Sequence, residues 1–125
     1  ALVDYMAKNG IAGIAYSSLV PLSTWRASPG QSSAKTDEMR AEGAASDTVI
    51  KSMAAAYGVS EAQLLLRWGL QKGFAVLPKS LHDERMRQNL DLFGFEIGAD
   101  DMAALARLDK GDGVAWATGD PRFMG

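Results

Sequence analysis

Leu2, Val3, Met6 and Ala7 recur at helical spacing and are followed by Asn9-Gly10, residues that tolerate the left-handed backbone of a helix end. A short apolar run from Ile11 to Tyr16 comes next, bounded by Gly10 and by Ser17 and Ser18, as a strand buried on both faces would be. From Pro21 to Ser46 the apolar period disappears into Ser, Gly, Pro and Ala with charges around Lys35 to Arg40, which predicts a long loop over 20–46. Loops of that length inside a domain are usually lids or binding loops.

The helical period returns at Val49, Ile50, Met53, Ala54 and Tyr57, with Asp47 placed to cap the helix and Gly58 to end it. Ser60 and Gln63 form a capping box for a second helix that buries Leu64, Leu65 and Trp68 and closes at Gly73. Phe74 to Leu77 reads as another short buried strand. Asp83 to Leu90 follows as a helix with Met86, Leu90 and Gln88 turned inward, and Ala99 to Leu108 carries Met102, Leu105 and Leu108 on one stripe. Gly98 is a poorer cap for that last helix than Ser or Thr. The Gly-rich tail over 110–125 has no period and reads as a surface segment.

Helix and buried strand thus alternate, which is the rhythm of an α/β protein with a parallel sheet. Two strands do not complete such a sheet, so the pattern calls for further strands from a longer chain or from a second copy. Ala1 enters the amphipathic pattern at once, without start methionine, basic leader or cleavage site, and the chain is therefore read as part of a longer one.

Composition narrows the class. The 125 residues are 47% hydrophobic and 22% charged, ordinary values for a globular domain, and six methionines fall mostly on the apolar faces. A formal net charge of -2, from 13 basic and 15 acidic residues mixed along the chain, gives no reason to expect nucleic acid as a partner. No apolar run approaches the roughly 18 residues of a membrane span, so no membrane partner is expected either. With no cysteine, disulfide scaffolds and thiolate metal sites are excluded, no metal site is read, and a cytoplasmic setting fits.

The chemistry-bearing residues gather after the two strands. Tyr16, Ser17, Ser18 and Leu19 follow the first, and Lys79-Ser80 follow the second, at the ends where α/β barrels place ligands. Arg85, Arg87, Gln88 and Asn89 lie on the helix behind Lys79 and Ser80, and a helix N-terminus beside these cations suits a phosphate. Solvated surface charge is the plainer alternative. His82, the single histidine, reads as a cap or solvent-facing residue rather than an acid or base, and Tyr57 as core.

The ordered series Tyr16-Ser17-Ser18-Leu19, Gln63 to Trp68, Val76-Leu77-Pro78-Lys79-Ser80, Arg85 to Asn89, Phe93-Gly94-Phe95-Glu96 and Asp101 to Leu105 resembles the C-terminal part of the aldo-keto reductases, from Leu2 to about Asp109. The resemblance implies a (β/α)8 TIM barrel, of which residues 1–125 would supply a cofactor-binding segment, from the sixth to the eighth helix plus two extra helices. It implies NADP(H) as cofactor and reduction of small carbonyl substrates. Tyr16 falls where the family stacks an aromatic ring on the nicotinamide, and Ser17, Leu19 and Leu22 fall on the segment around the pyrophosphate. Lys79, Ser80 and Arg85 fall where it holds the 2′-phosphate, Leu81 where it offers backbone, and Gln88 and Asn89 where it meets adenine. Val20-Pro21-Leu22 departs from the small residues often found there.

Trp25 in the long loop and Trp116 in the tail fall in regions bordering the family's substrate pocket, with packing on the barrel exterior as the alternative. The family's Asp, Tyr, Lys and His catalytic set would lie upstream of Ala1, so no catalytic residue is assigned and the chain alone is expected to be inactive. Two other readings stay open: a non-catalytic nucleotide-binding or interaction module, and a half-barrel that self-associates through exposed strand edges.

Overall fold

The computed structural model describes residues 2–16, 18–19 and 49–109. Ser17, Leu22, Trp25 and Trp116, the loop over 20–46 with the Asp47 cap, and the tail over 110–125 lie outside the described residues.

Helix α1 (Leu2–Lys8) turns at Gly10, whose φ of 65° is in the left-handed region, and leads into β1 (Gly13–Ala15). Helix α2 is described over 49–57 and ends at Gly58. Ser60 then opens α3 (Glu61–Gln71) with the full capping box: its hydroxyl accepts from the Gln63 N–H at 3.1 Å, and the Gln63 carboxamide accepts from the Ser60 N–H at 3.0 Å. Strand β2 (Phe74–Val76), α4 (Asp83–Leu90) and α5 (Ala99–Ala106) complete the order.

β1 and β2 pair in parallel, Gly13 opposite Phe74, Ile14 opposite Ala75 and Ala15 opposite Val76. Two close approaches set this part of the packing. Gly13 is buried under the Phe74 ring, and a Cβ there would lie 2.8 Å from Phe74 Cδ1 and 3.2 Å from Met6 Cε. Gly69 lets α3 lie flat on β2, since a Cβ at that position would be 3.0 Å from Val76 Cγ1.

The apolar cluster sits among helices rather than in the sheet. Ile50, Met53 and Ala54 of α2, Leu64 of α3, Ile97 ahead of α5 and Leu105 within it are buried together, with Tyr57, Leu65, Trp68, Phe95, Met102 and Leu108 packed around them. The 91–97 segment is fastened to α3 by one face of that helix, Gln63, Arg67 and Gln71 at four-residue spacing. Gln63 Nε2 donates to the Asp91 carbonyl at 3.0 Å. Gln71 donates to the Ile97 carbonyl and accepts from its N–H, at 2.9 and 2.8 Å, as a neighbouring strand would. Arg67 lies 5.8 Å from the centre of the Phe93 ring.

Several sequence expectations are corrected. The strands are not buried on both faces: Ile14 is 65% exposed and Ala75 is exposed, because the described residues place nothing over that side. Met86 and Leu90 do not face inward, and α4 buries no residue. Within α3 the fully buried leucines are Leu64 and Leu66, while Leu65 and Trp68 are half-buried at the cluster's edge.

Candidate functional site

Parallel pairing puts the carboxyl ends of β1 and β2 side by side, so Tyr16 and the Leu77–His82 turn leave the sheet at the same edge. Neighbouring strands are about 4.8 Å apart. Tyr16 is 78% exposed, and Leu19, a little further on, is half-buried. Ser18 donates to the Ala15 carbonyl at 3.5 Å, folding the chain back on the strand end.

On the β2 side, Ser80 shapes the entry to α4. Its hydroxyl accepts from the His82 N–H at 3.1 Å and lies 3.3 Å from the His82 carbonyl. His82 occupies the N-cap position with extended backbone (φ -114°, ψ 123°) but makes no side-chain cap bond. The first hydrogen bond of the helix is from Met86 N–H to the His82 carbonyl at 3.0 Å. The N–H groups of Asp83, Glu84 and Arg85 therefore precede the helical ladder and carry the positive end of its dipole.

Charge around this turn is mixed: Lys79, Arg85 and Arg87 stand against Asp83 and Glu84. Glu84 takes up one cation, with its Oε2 4.0 Å from Arg87 Nη1. Lys79 and Arg85 are exposed, and neither has an ion-pair partner among the described residues. A dianionic group needs donors that are not already committed, and these two cations meet that requirement. Leu81 is exposed beside them.

Gln88 and Asn89 lie half-buried one turn further along α4. Gln88 Nε2 donates to Glu84 Oε1 at 3.3 Å. Glu84 had not been singled out from the sequence, although its i+3 and i+4 spacing to Arg87 and Gln88 is the signal for such pairing. Of the ten proposed cofactor residues, the structure thus brings Tyr16 and Leu19 to the same sheet edge as Lys79, Ser80, Leu81 and the helix carrying Arg85, Gln88 and Asn89. Ser17 and Leu22 are outside the described residues. Among the described residues no group of three or more His, Asp or Glu gathers as a metal site would require, and no helix is long and apolar enough to cross a membrane.

Comparison with known proteins gives this arrangement a setting. The model of the aldo/keto reductase family matches residues 1–110. A probable NAD(P)H-dependent D-xylose reductase from Emericella nidulans is 42% identical over 113 residues, covering 88% of this chain and 33% of that protein. The NAD(P)H-dependent D-xylose reductase I,II of Candida tropicalis is 38% identical over 113 residues, covering 88% of this chain and 32% of its own length. Among solved structures, a Bombyx mori aldo-keto reductase in complex with NADP superposes with a TM-score of 0.67 at 31% identity, over 90% of this chain and 34% of that one. The chain spans about a third of the length of the curated relatives it matches.

Proposed function

Since this chain belongs to the aldo/keto reductase family, we propose that it carries the NADP(H)-holding part of an oxidoreductase that reduces aldehydes or ketones to alcohols. One observation carries the reading: the parallel register brings an exposed aromatic ring, Tyr16, to the same edge as a turn and helix start with two uncommitted cations, Lys79 and Arg85. An aromatic face suits a planar nicotinamide, and a guanidinium fork suits a phosphate dianion. When bound, the nicotinamide supplies the hydride.

The roles of this chain's residues follow from their chemistry. Arg85 binds the 2′-phosphate through its fork, and Lys79 adds a point charge from the preceding turn. Ser80 orients the turn through its bonds to His82, and its hydroxyl proton turns from the His82 carbonyl to the phosphate. Leu81 lends backbone, and Gln88 and Asn89 hold the base. Tyr16 lies against the nicotinamide, with Ser17, Leu19 and Leu22 along the pyrophosphate and Trp25 and Trp116 at the carbonyl substrate. Because no residue among the 125 is assigned to proton transfer, this stretch by itself is proposed to bind without turning over. The xylose reductases among its relatives make an open-chain aldose the first substrate to try with the complete enzyme.

Arg85→Ala tests the assignment. Losing one charge-assisted contact costs about 1.5–3 kcal/mol, or roughly ten- to a hundredfold in affinity. NADPH binding should weaken by that factor and NADH binding should hardly change, with the difference shrinking as salt rises. Equal weakening of both cofactors would show Arg85 acting through the helix and not through the phosphate.

A further inference from the structure

We infer that the Asn9–Gly10 junction is a modification site, at which this chain deamidates spontaneously through a succinimide because the end of α1 restrains the two residues only weakly.

The junction closes α1 and hands the chain to β1. Gly10 takes a φ of 65°, and the Ile11 N–H then reaches back to the Met6 carbonyl at 2.9 Å. Asn9 and Gly10 are both exposed, and α1 buries no residue. A helix end with so little packed against it opens at small cost. While it is closed, Asn9 Nδ2 donates to the Tyr5 carbonyl at 2.8 Å, and the Gly10 N–H donates to the Ala7 carbonyl at 3.4 Å, a long bond. When the end opens, the Gly10 nitrogen gives up its proton and attacks Asn9 Cγ. A C–N bond forms there, the bond from Cγ to Nδ2 breaks, and Nδ2 leaves as ammonia. Water then opens the cyclic imide at either carbonyl, leaving an aspartyl or an isoaspartyl residue. Glycine favours the attack because it has no Cβ to crowd the nitrogen. Asn89, the chain's other asparagine, is half-buried within α4 and followed by Leu90, whose side chain crowds the corresponding nitrogen.

Either product undoes the junction. A carboxylate at position 9 sets oxygen against the Tyr5 carbonyl and places negative charge at the negative end of α1. An isoaspartyl link adds a backbone carbon inside the loop closed by the Ile11 bond to Met6, directly ahead of β1.

Peptide mapping by mass spectrometry tests the inference on the 125-residue chain, aged in mildly alkaline buffer with and without guanidinium chloride. Asn9 should convert to a mixture of aspartyl and isoaspartyl products while Asn89 in the same sample stays intact. Folding should slow the conversion by about fivefold relative to denaturant, the weight of one net hydrogen bond. Gly10→Ala should suppress conversion even in denaturant, where any effect on the fold drops out. Asn9→Asp, which makes the aspartyl product directly, should melt below the wild type. Asn89 converting as fast as Asn9, a product free of isoaspartyl, or a Gly10→Ala chain that converts unchanged in denaturant overturns the succinimide at this junction. An Asn9 that converts in denaturant but stays intact in the folded chain overturns the weak restraint by α1, and with it the site.

Discussion

Gly98 has no side chain with which to cap α5, and the hydroxyl of Tyr57 stands in that place, accepting from the Gly98 N–H at 2.9 Å and donating to the Asp101 carboxylate at 2.6 Å. The ring meanwhile packs on Phe95 with centroids 6.0 Å apart. The hydrogen bond to Asp101 raises the phenol above its ordinary value. Its stabilisation is accordingly complete below about pH 10, the unperturbed tyrosine value, and is lost as pH climbs through the raised one. Tyr57→Phe, which keeps the ring, should lower the denaturation midpoint at pH 7, and the gap to wild type should narrow in strong alkali. Equal midpoints at neutral pH would show that the hydroxyl contributes nothing. The helical period marked Tyr57 as a core position, but its hydroxyl pairs with residues more than forty positions away, which no local pattern encodes. Gly13 was similarly hidden inside an apolar run. Gly13→Ala forces a Cβ against the Phe74 ring and should cost about 1–3 kcal/mol in chemical denaturation. Adding Phe74→Leu should return part of that loss, and strictly additive effects would rule out the close approach as its cause.

At the scale of the elements, α3 is the best specified. Its capping box, its start at Ser60 and its closure at Gly73, with a φ of 85°, are all written in residues of strong local preference, and the structure has each of them. Ser60→Ala should remove about 1 kcal/mol of stability. Gly69 is a subtler case. Alanine there gains about 0.8–1.0 kcal/mol of helix propensity but must displace Val76 Cγ1 by a few tenths of an ångström. The two effects nearly cancel, so Gly69→Ala should change the unfolding midpoint little, whereas Gly69→Leu should lose about 1–3 kcal/mol. A tolerated leucine would mean that α3 does not rest closely on β2. The orientation of α4 was not legible: its one sparse stripe, Met86 and Leu90, suggested an inward face, yet burial depends on which neighbours exist and not on period alone. The strand lengths shortened for a related reason, since pairing ends where the partner strand ends.

For the whole molecule, the unclothed side of β1 and β2 adds to exposed apolar side chains at Leu2, Val3, Tyr5, Leu77, Leu81 and Phe93. Patches of this kind mark surfaces built to be covered. The 125-residue chain should therefore bind an apolar dye or self-associate at micromolar concentration. A monodisperse monomer that leaves the dye dark would show those faces to be buried in solution. The alternation of helix and strand, the positions of both strands and the placing of Tyr16 and the 77–82 turn after them could be read before any coordinates. What covers the sheet could not, because covering residues are contributed by partners in space rather than in sequence.

The pairing of Gly13 with Phe74 joins residues far apart in the sequence, while the α2–α3 cluster forms between near neighbours. Closing so long a loop costs on the order of 3–4 kcal/mol of chain entropy before the ladder returns anything. Local contacts are thus favoured early in folding and the strand pair late. In stopped-flow kinetics the Ser60→Ala substitution should act mainly by slowing folding, and Gly13→Ala mainly by hastening unfolding. The sheet edge proposed to hold the nucleotide would then be the last part of the molecule to assemble and the first to come apart, and a nucleotide bound across it would act as a brake on unfolding.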